Sequence, residues 1–145
     1  MTEIEIQGDL PLGITKEQIE PFAHRILSSE APGIKFEISI LCTNSEDMRK
    51  YNHFYRGVDN NTDALSFKGE SLILEGVETQ FCDIIIDTKQ VFKQKGKNTF
   101  NEEFWQVLIH ALLHLAGFDH IRTSDKEKME DAEENYQKQI PEGLA

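Results

Sequence analysis

Three of the five histidines in this chain fall inside HALLHLAGFDH, residues 110 to 120. Neutral imidazole is a good zinc ligand, so the spacing is the first thing to test. His110 and His114 are four residues apart, which on a helix puts them on one face with Cβ atoms roughly 6 Å from each other. If the helix ran on, His120 would stand about 9 Å further along and some 240° round from His114. Gly117 can stop it by taking a left-handed conformation just past the last helical residue. Three residues of turn then return His120 towards the other two. The pattern H-x-x-x-H-x-x-G-x-x-H is thus a recipe for three imidazoles at about 2.0 to 2.1 Å from one zinc ion.

A buried histidine on an apolar helix is usually structural, but second and third histidines at two fixed offsets arise by chance only about once per thousand histidines at this composition. Each buried imidazole also needs polar partners. Metal binding is the better account. Structural zinc is normally closed by four protein ligands, whereas three leave a position for water or substrate. Cys42, Cys82 or Asp119 could supply a fourth through the fold. Asp119 is more naturally an acceptor behind a ligand, or a turn residue. An open, catalytic site is preferred. The spacing matches the extended zinc motif of metzincin peptidases, yet Ala111 stands where those enzymes carry their Glu general base, which argues against peptidase chemistry. Zinc-bound water with a pKa near 7, and polarisation of a phosphoryl oxygen by the metal, keep phosphodiester hydrolysis open.

These residues need a helix to hold them, and FWQVLIHALLHLA, apolar on nearly every face, predicts a largely buried one from Phe100 to Ala116, with Thr99 and Glu102 as a capping box. Strand signals lie at 2 to 7, 35 to 42, 64 to 67 (ALSF) and 81 to 86, the last an apolar run covered on both faces. Residues 68 to 80 carry no clear pattern. Ile19, Phe22, Ala23, Ile26 and Leu27 recur at helical spacing behind a Thr15–Gln18 capping box, and Pro21 predicts either a start near itself or a local bend. Asn44 and Asp47 open a helix through MRKYNHFY, another follows Asp87, and Ser124 with Glu127 predicts the cap of a last helix through Met129, Ala132 and Tyr136. RGVDNNTD is a surface loop.

Composition sets limits. At 145 residues the chain has the size of one domain, with 39% hydrophobic and 28% charged residues. MTEIEIQGDL lacks the positive charge and apolar run of a secretory signal, and no stretch approaches the roughly 18 apolar residues of a membrane span, so a cytoplasmic protein is expected. Cys42 and Cys82 lie in apolar strand-like runs and read as reduced, buried thiols. A net charge of −11 argues against a broad basic surface for nucleic acid. The lysines of TKQVFKQKGKN read as a solvated segment. His53 reads as structural and His24 as a surface helix residue.

HALLHLAGFDH resembles the signature of the YbeY family, bacterial metal-dependent endoribonucleases of ribosomal RNA maturation. YNHFYRGVDNNTDALSF resembles that family's second characteristic segment, CDIIID its third, and DHIRTSDKEKMEDAEE its continuation after the last histidine. Together these cover most of residues 34 to 134. The resemblance implies a zincin-like α+β fold; with the length and strand signals above, the expectation is a single domain over 1–145 with a mixed sheet of about four strands and the three histidines facing a cleft near ALSF. The resemblance also implies one zinc per chain on His110, His114 and His120, and a functional arginine at Arg56. An arginine in such a loop is by itself usually a solvated surface residue, but where no protein base is present a guanidinium would clamp a phosphate. Single-stranded or ribosomal RNA is the implied substrate, with the small ribosomal subunit or its proteins as partners, a monomer, and no DNA or membrane. Ala111 and Cys82 stand where the family typically has glycine; both are small, and the backbone path is expected to survive. Two functions follow as expectations: a zinc-dependent single-strand endoribonuclease in ribosomal RNA maturation and ribosome quality control, or an assembly factor with structural zinc and little catalysis.

Overall fold

The alternation in TEIEIQ and KFEISILC becomes two neighbouring strands with every second side chain turned inward. The computed structural model describes residues 2–57, 62–118 and 123–141. In chain order these form β1 (Thr2–Gln7), α1 (Lys16–Glu30), β2 (Ile34–Thr43), α2 (Ser45–Arg56), β3 (Ala64–Leu74), β4 (Val77–Asp87), α3 (Thr88–Gln94), α4 (Phe100–Leu115) and α5 (Thr123–Gln137). The sheet order is β1-β2-β4-β3. β1 and β4 run parallel to β2, and β3 pairs antiparallel with β4. This is the expected α+β arrangement with a four-stranded mixed sheet.

Phe36, Ile38, Ile40 and Cys42 of β2 and Cys82, Ile84 and Ile86 of β4 are buried in one core with α1 and α4. On the other face Leu65 and Ile85 meet Met48 of α2 in a second, smaller cluster. The run Ile84–Ile86 is therefore covered on both sides, which is why it is apolar without alternation.

Two local expectations are corrected and one open choice is decided. β3 and β4 are each longer than the apolar runs suggested, because residues 68 to 80 complete a hairpin. Its two-residue turn is Glu75 (φ 51°) and Gly76 (φ 80°), the doubly left-handed geometry that matches strand twist. Glu-Gly is a weak form of that turn signal, and the register shift between Lys68 and Ser71 breaks the alternation that marks a strand. Of the two outcomes open for Pro21, a start near it is ruled out: α1 begins at Lys16 behind the expected Thr15–Gln18 capping box and runs through Pro21. Thr123 is already helical, which puts Ser124 inside the first turn of α5 and not at its cap. Asn44 caps α2 as expected, its Oδ1 accepting from Asp47 N–H at 2.8 Å. Among the described residues no helix is long and apolar enough to cross a membrane.

α4 opens on a reciprocal pair: Thr99 N–H donates to Glu102 Oε1 (2.9 Å), and Glu102 N–H donates to Thr99 Oγ1 (3.1 Å). The backbone bond from Thr99, then its hydroxyl, hold the Glu102 carboxyl below its ordinary value. A depressed carboxyl contributes stability above its unfolded pKa and loses it as pH falls through the folded one. Glu102→Gln should therefore lower the urea midpoint slightly at neutral pH, and the two proteins should converge in acid. A gap that stays constant from pH 7 down to pH 3 would contradict this.

Candidate metal centre and cleft

α4 buries Phe104, Trp105, Leu108, Ile109, Leu112 and Leu113 and leaves a polar stripe at Glu103, Gln106, His110 and His114. The last two imidazoles converge: His110 Nε2 lies 3.1 Å from His114 Nε2, with the rings 4.6 Å apart and nearly perpendicular. Behind His110, Nδ1 lies 3.0 Å from Glu133 Oε1 on α5. Nδ1 is placed to donate to that carboxylate, and in the tautomer that does so Nε2 carries the lone pair that faces the neighbouring ring. Two nitrogens on a tetrahedral zinc at about 2.0 to 2.1 Å stand about 3.3 Å apart. The pair fits one edge of such a site, and a carboxylate behind the imidazole is the usual support for a zinc-binding histidine.

The helix ends as the glycine requires. Gly117 N–H donates to His114 O and Phe118 N–H to Leu113 O, both at 3.0 Å, with Gly117 at φ 107°. This is a complete Schellman motif and turns the chain back directly after His114. His120 and Asp119 lie outside the described residues, and among those described no group of three His, Cys, Asp or Glu forms a metal-holding set.

His110 and His114 open onto a cleft of about 640 Å³ whose other walls include Ala64 to Phe67 of β3 and Arg56 at the end of α2. Asp63, Glu103 and Glu133 also line it. These carboxylates already have partners. Gln94 Nε2 donates to Asp63 Oδ2 and Glu103 Oε2 at 3.0 Å each, and Asn98 Nδ2 donates to Glu103 Oε1 at 3.1 Å. Cys42 and Cys82 belong to the core and do not line the cleft. Ala111 does line it, within an unbroken α4, and Cys82 keeps regular pairing opposite Ile38 and Lys68. His53, expected to be structural, is exposed. His24 is exposed as expected, with Nδ1 3.3 Å from Thr2 Oγ1.

Sequence reasoning missed Glu133 and the amide-held carboxylates. Glu133 follows Met129 by one helical turn, so it shares the face that Met129 and Tyr136 bury, and that position was readable. The link from Gln94 to Asp63 and Glu103 joins three separate segments and had no local signal.

A family model described as Endoribonuclease YbeY matches residues 5–141. The chain belongs to that family. It is 35% identical over 131 residues to the Endoribonuclease YbeY of Petrotoga mobilis, covering 88% of this chain and 87% of that one. It is 36% identical over 117 residues to the same-named protein of Treponema pallidum strain Nichols, covering 77% and 72%. A solution structure from Thermotoga maritima superposes with a TM-score of 0.64 at 23% identity, over 97% of this chain and 89% of that one, and shares the fold. Members of the YbeY family thus bear the name of an RNA-cleaving hydrolase.

Burial first, then the Asp9 carboxylate, pushes the Cys42 thiol up to about 11. Burial first, then Asp83, pushes Cys82 to about 11 against the opposing Lys68. At pH 8 the thiolate fraction is then on the order of one in a thousand. A thiol reagent should leave the native chain unmodified on the timescale in which it titrates two thiols after denaturation. Rapid stoichiometric labelling of the native chain would contradict the burial.

Proposed function

We propose that this chain is a zinc-dependent endoribonuclease that cuts single-stranded RNA in ribosomal RNA maturation and ribosome quality control, acting in the cytoplasm as a monomer with one zinc. Family membership supports the reaction class. The observation that carries the metal is the 3.1 Å approach of His110 Nε2 to His114 Nε2 on the wall of a cleft that also contains Arg56. His120, beyond the Gly117 turn, is the proposed third ligand, and Asp119 a proposed acceptor behind it. When bound, zinc would polarise a phosphoryl oxygen and lower the pKa of water.

The remaining chemistry belongs to the chain. Ala111 offers no base on α4 at the peptidase position, and Asp63, Glu103 and Glu133 are committed as acceptors. Arg56 is the permanently charged group in the cleft lining, and its planar fork matches two phosphate oxygens at once. It would orient the scissile phosphate and stabilise charge developing on it. The net charge of −11 favours a second reading, an assembly factor whose docking to RNA depends on a protein partner.

Cleavage of single-stranded RNA separates the two. Arg56→Ala should lower kcat about a hundredfold while unfolding midpoint and zinc content stay at wild-type values, because the side chain is exposed. Arg56→Lys should restore only part, since an ammonium keeps charge without the fork. His114→Ala should lose zinc by elemental analysis and lose activity, as should chelator-treated wild type. Equal cleavage in all four samples would mark a contaminating nuclease and leave the assembly factor standing.

A further inference from the structure

The rings on the last turns of α2 are not where a packed helix would put them. Met48 is buried against Leu65 and Ile85, with Tyr51 and Phe67 packed on that cluster, so the helix already has its anchor. Phe54 is nonetheless 79% exposed and Tyr55 52% exposed. They continue a row that begins in the cleft: Phe67, which lines it, stands 4.7 Å from Tyr55, and Tyr55 stands 4.9 Å from Phe54, centroid to centroid. Arg56, next in sequence, lines the same cleft. On α2 the acidic residues Glu46 and Asp47 stand in the first turn and Arg49, Lys50 and Arg56 follow, with Lys50 Nζ 4.0 Å from Glu46 Oε1, so the cleft end of the helix is basic in a chain whose net charge is −11. Exposed aromatics beside Arg56 at the edge of this cleft match the two things a single-stranded polynucleotide offers, flat bases and a charged backbone.

We infer that Phe54 and Tyr55 form a stacking platform for unpaired RNA bases flanking the phosphate held at Arg56. The inference rests on the ribonuclease reading and deepens it. Stacking accepts any base but needs its face free, so a duplex, whose faces are already occupied, gains nothing. The platform would thus confer a preference for single strands without sequence readout.

The probe is a mixed-sequence single-stranded RNA of about ten nucleotides, with binding to the zinc-loaded chain read from the initial fluorescence-anisotropy amplitude before cleavage. Phe54→Ala should weaken binding about tenfold, with unfolding midpoint and zinc content unchanged because the ring is in water. Phe54→Trp and Tyr55→Phe should bind as wild type does, and so should Ile73→Ala, which removes an apolar side chain 70% exposed on β3. An oligonucleotide with the same phosphates and abasic sugars should bind wild type and Phe54→Ala alike. Unchanged affinity of Phe54→Ala for the intact oligonucleotide overturns the platform, and so does an equal loss on the abasic one or wild type that does not distinguish the two. Base-dependent binding without cleavage leaves the platform standing and rejects the nuclease reading. Cleavage with an unchanged KM in Phe54→Ala does the reverse.

Discussion

Two imidazoles one helical turn apart move together, so they face one cleft only if their helix is held at a fixed rotation, and in this chain that rotation is set by the apolar residues that α4 buries. Phe104, Leu108, Ile109, Leu112 and Leu113 are sealed in the core, and Trp105 meets Phe22 of α1 edge to face at 5.1 Å. Each such side chain contributes on the order of 2 kcal/mol by leaving water, so a turn of α4 about its axis would expose several at once. The polar stripe from Glu103 to His114 survives because it faces a cleft. Chemistry here is what the core leaves over.

That cleft sets an electrostatic problem for any phosphate ligand, since three carboxylates line it in a chain that is already strongly acidic. The arrangement limits the problem locally. Amides from Gln94 and Asn98 hold Asp63 and Glu103, and His110 engages Glu133. A neutral amide donor spreads a carboxylate's charge without adding a cation that would compete with the substrate. Arg56 brings a cation to the same lining, delivered by α2 from the opposite side of the sheet. The left-handed Gly57 ends that helix directly after it, its N–H donating to His53 O at 2.9 Å.

Legibility in the sequence followed the range of the interaction. α4, its capping box and its glycine stop depend on residues within a few positions of one another, and their patterns predicted them. The strands were found where burial enforces a period, at 2 to 7 and 35 to 42, and were cut short where β3 and β4 leave the core as a two-stranded ribbon and alternation ceases to be required. Pro21 left two outcomes open, and the helix runs through it because Thr15 and Gln18 set the start five residues earlier, at the cost of the one backbone bond that its missing N–H cannot make. His110 and His114 were visible as a pair, and Arg56 only through the family's motif. That Arg56 shares their cleft depends on β3 lying at the sheet edge beside α4, which no local pattern encodes.

The bond from His110 to Glu133 also ties the site to the packing of α5. That helix has little amphipathic drive of its own and is held by Met129 and Tyr136, both buried, with the Tyr136 hydroxyl donating to Glu30 Oε1 at 3.0 Å. Glu133 lies between those two anchors on the same face. Loosening either anchor would therefore move the carboxylate that holds the His110 ring through Nδ1. A core position far from the cleft thus acts on the paired histidines through one hydrogen bond, and stability and site geometry in this chain are not separable properties.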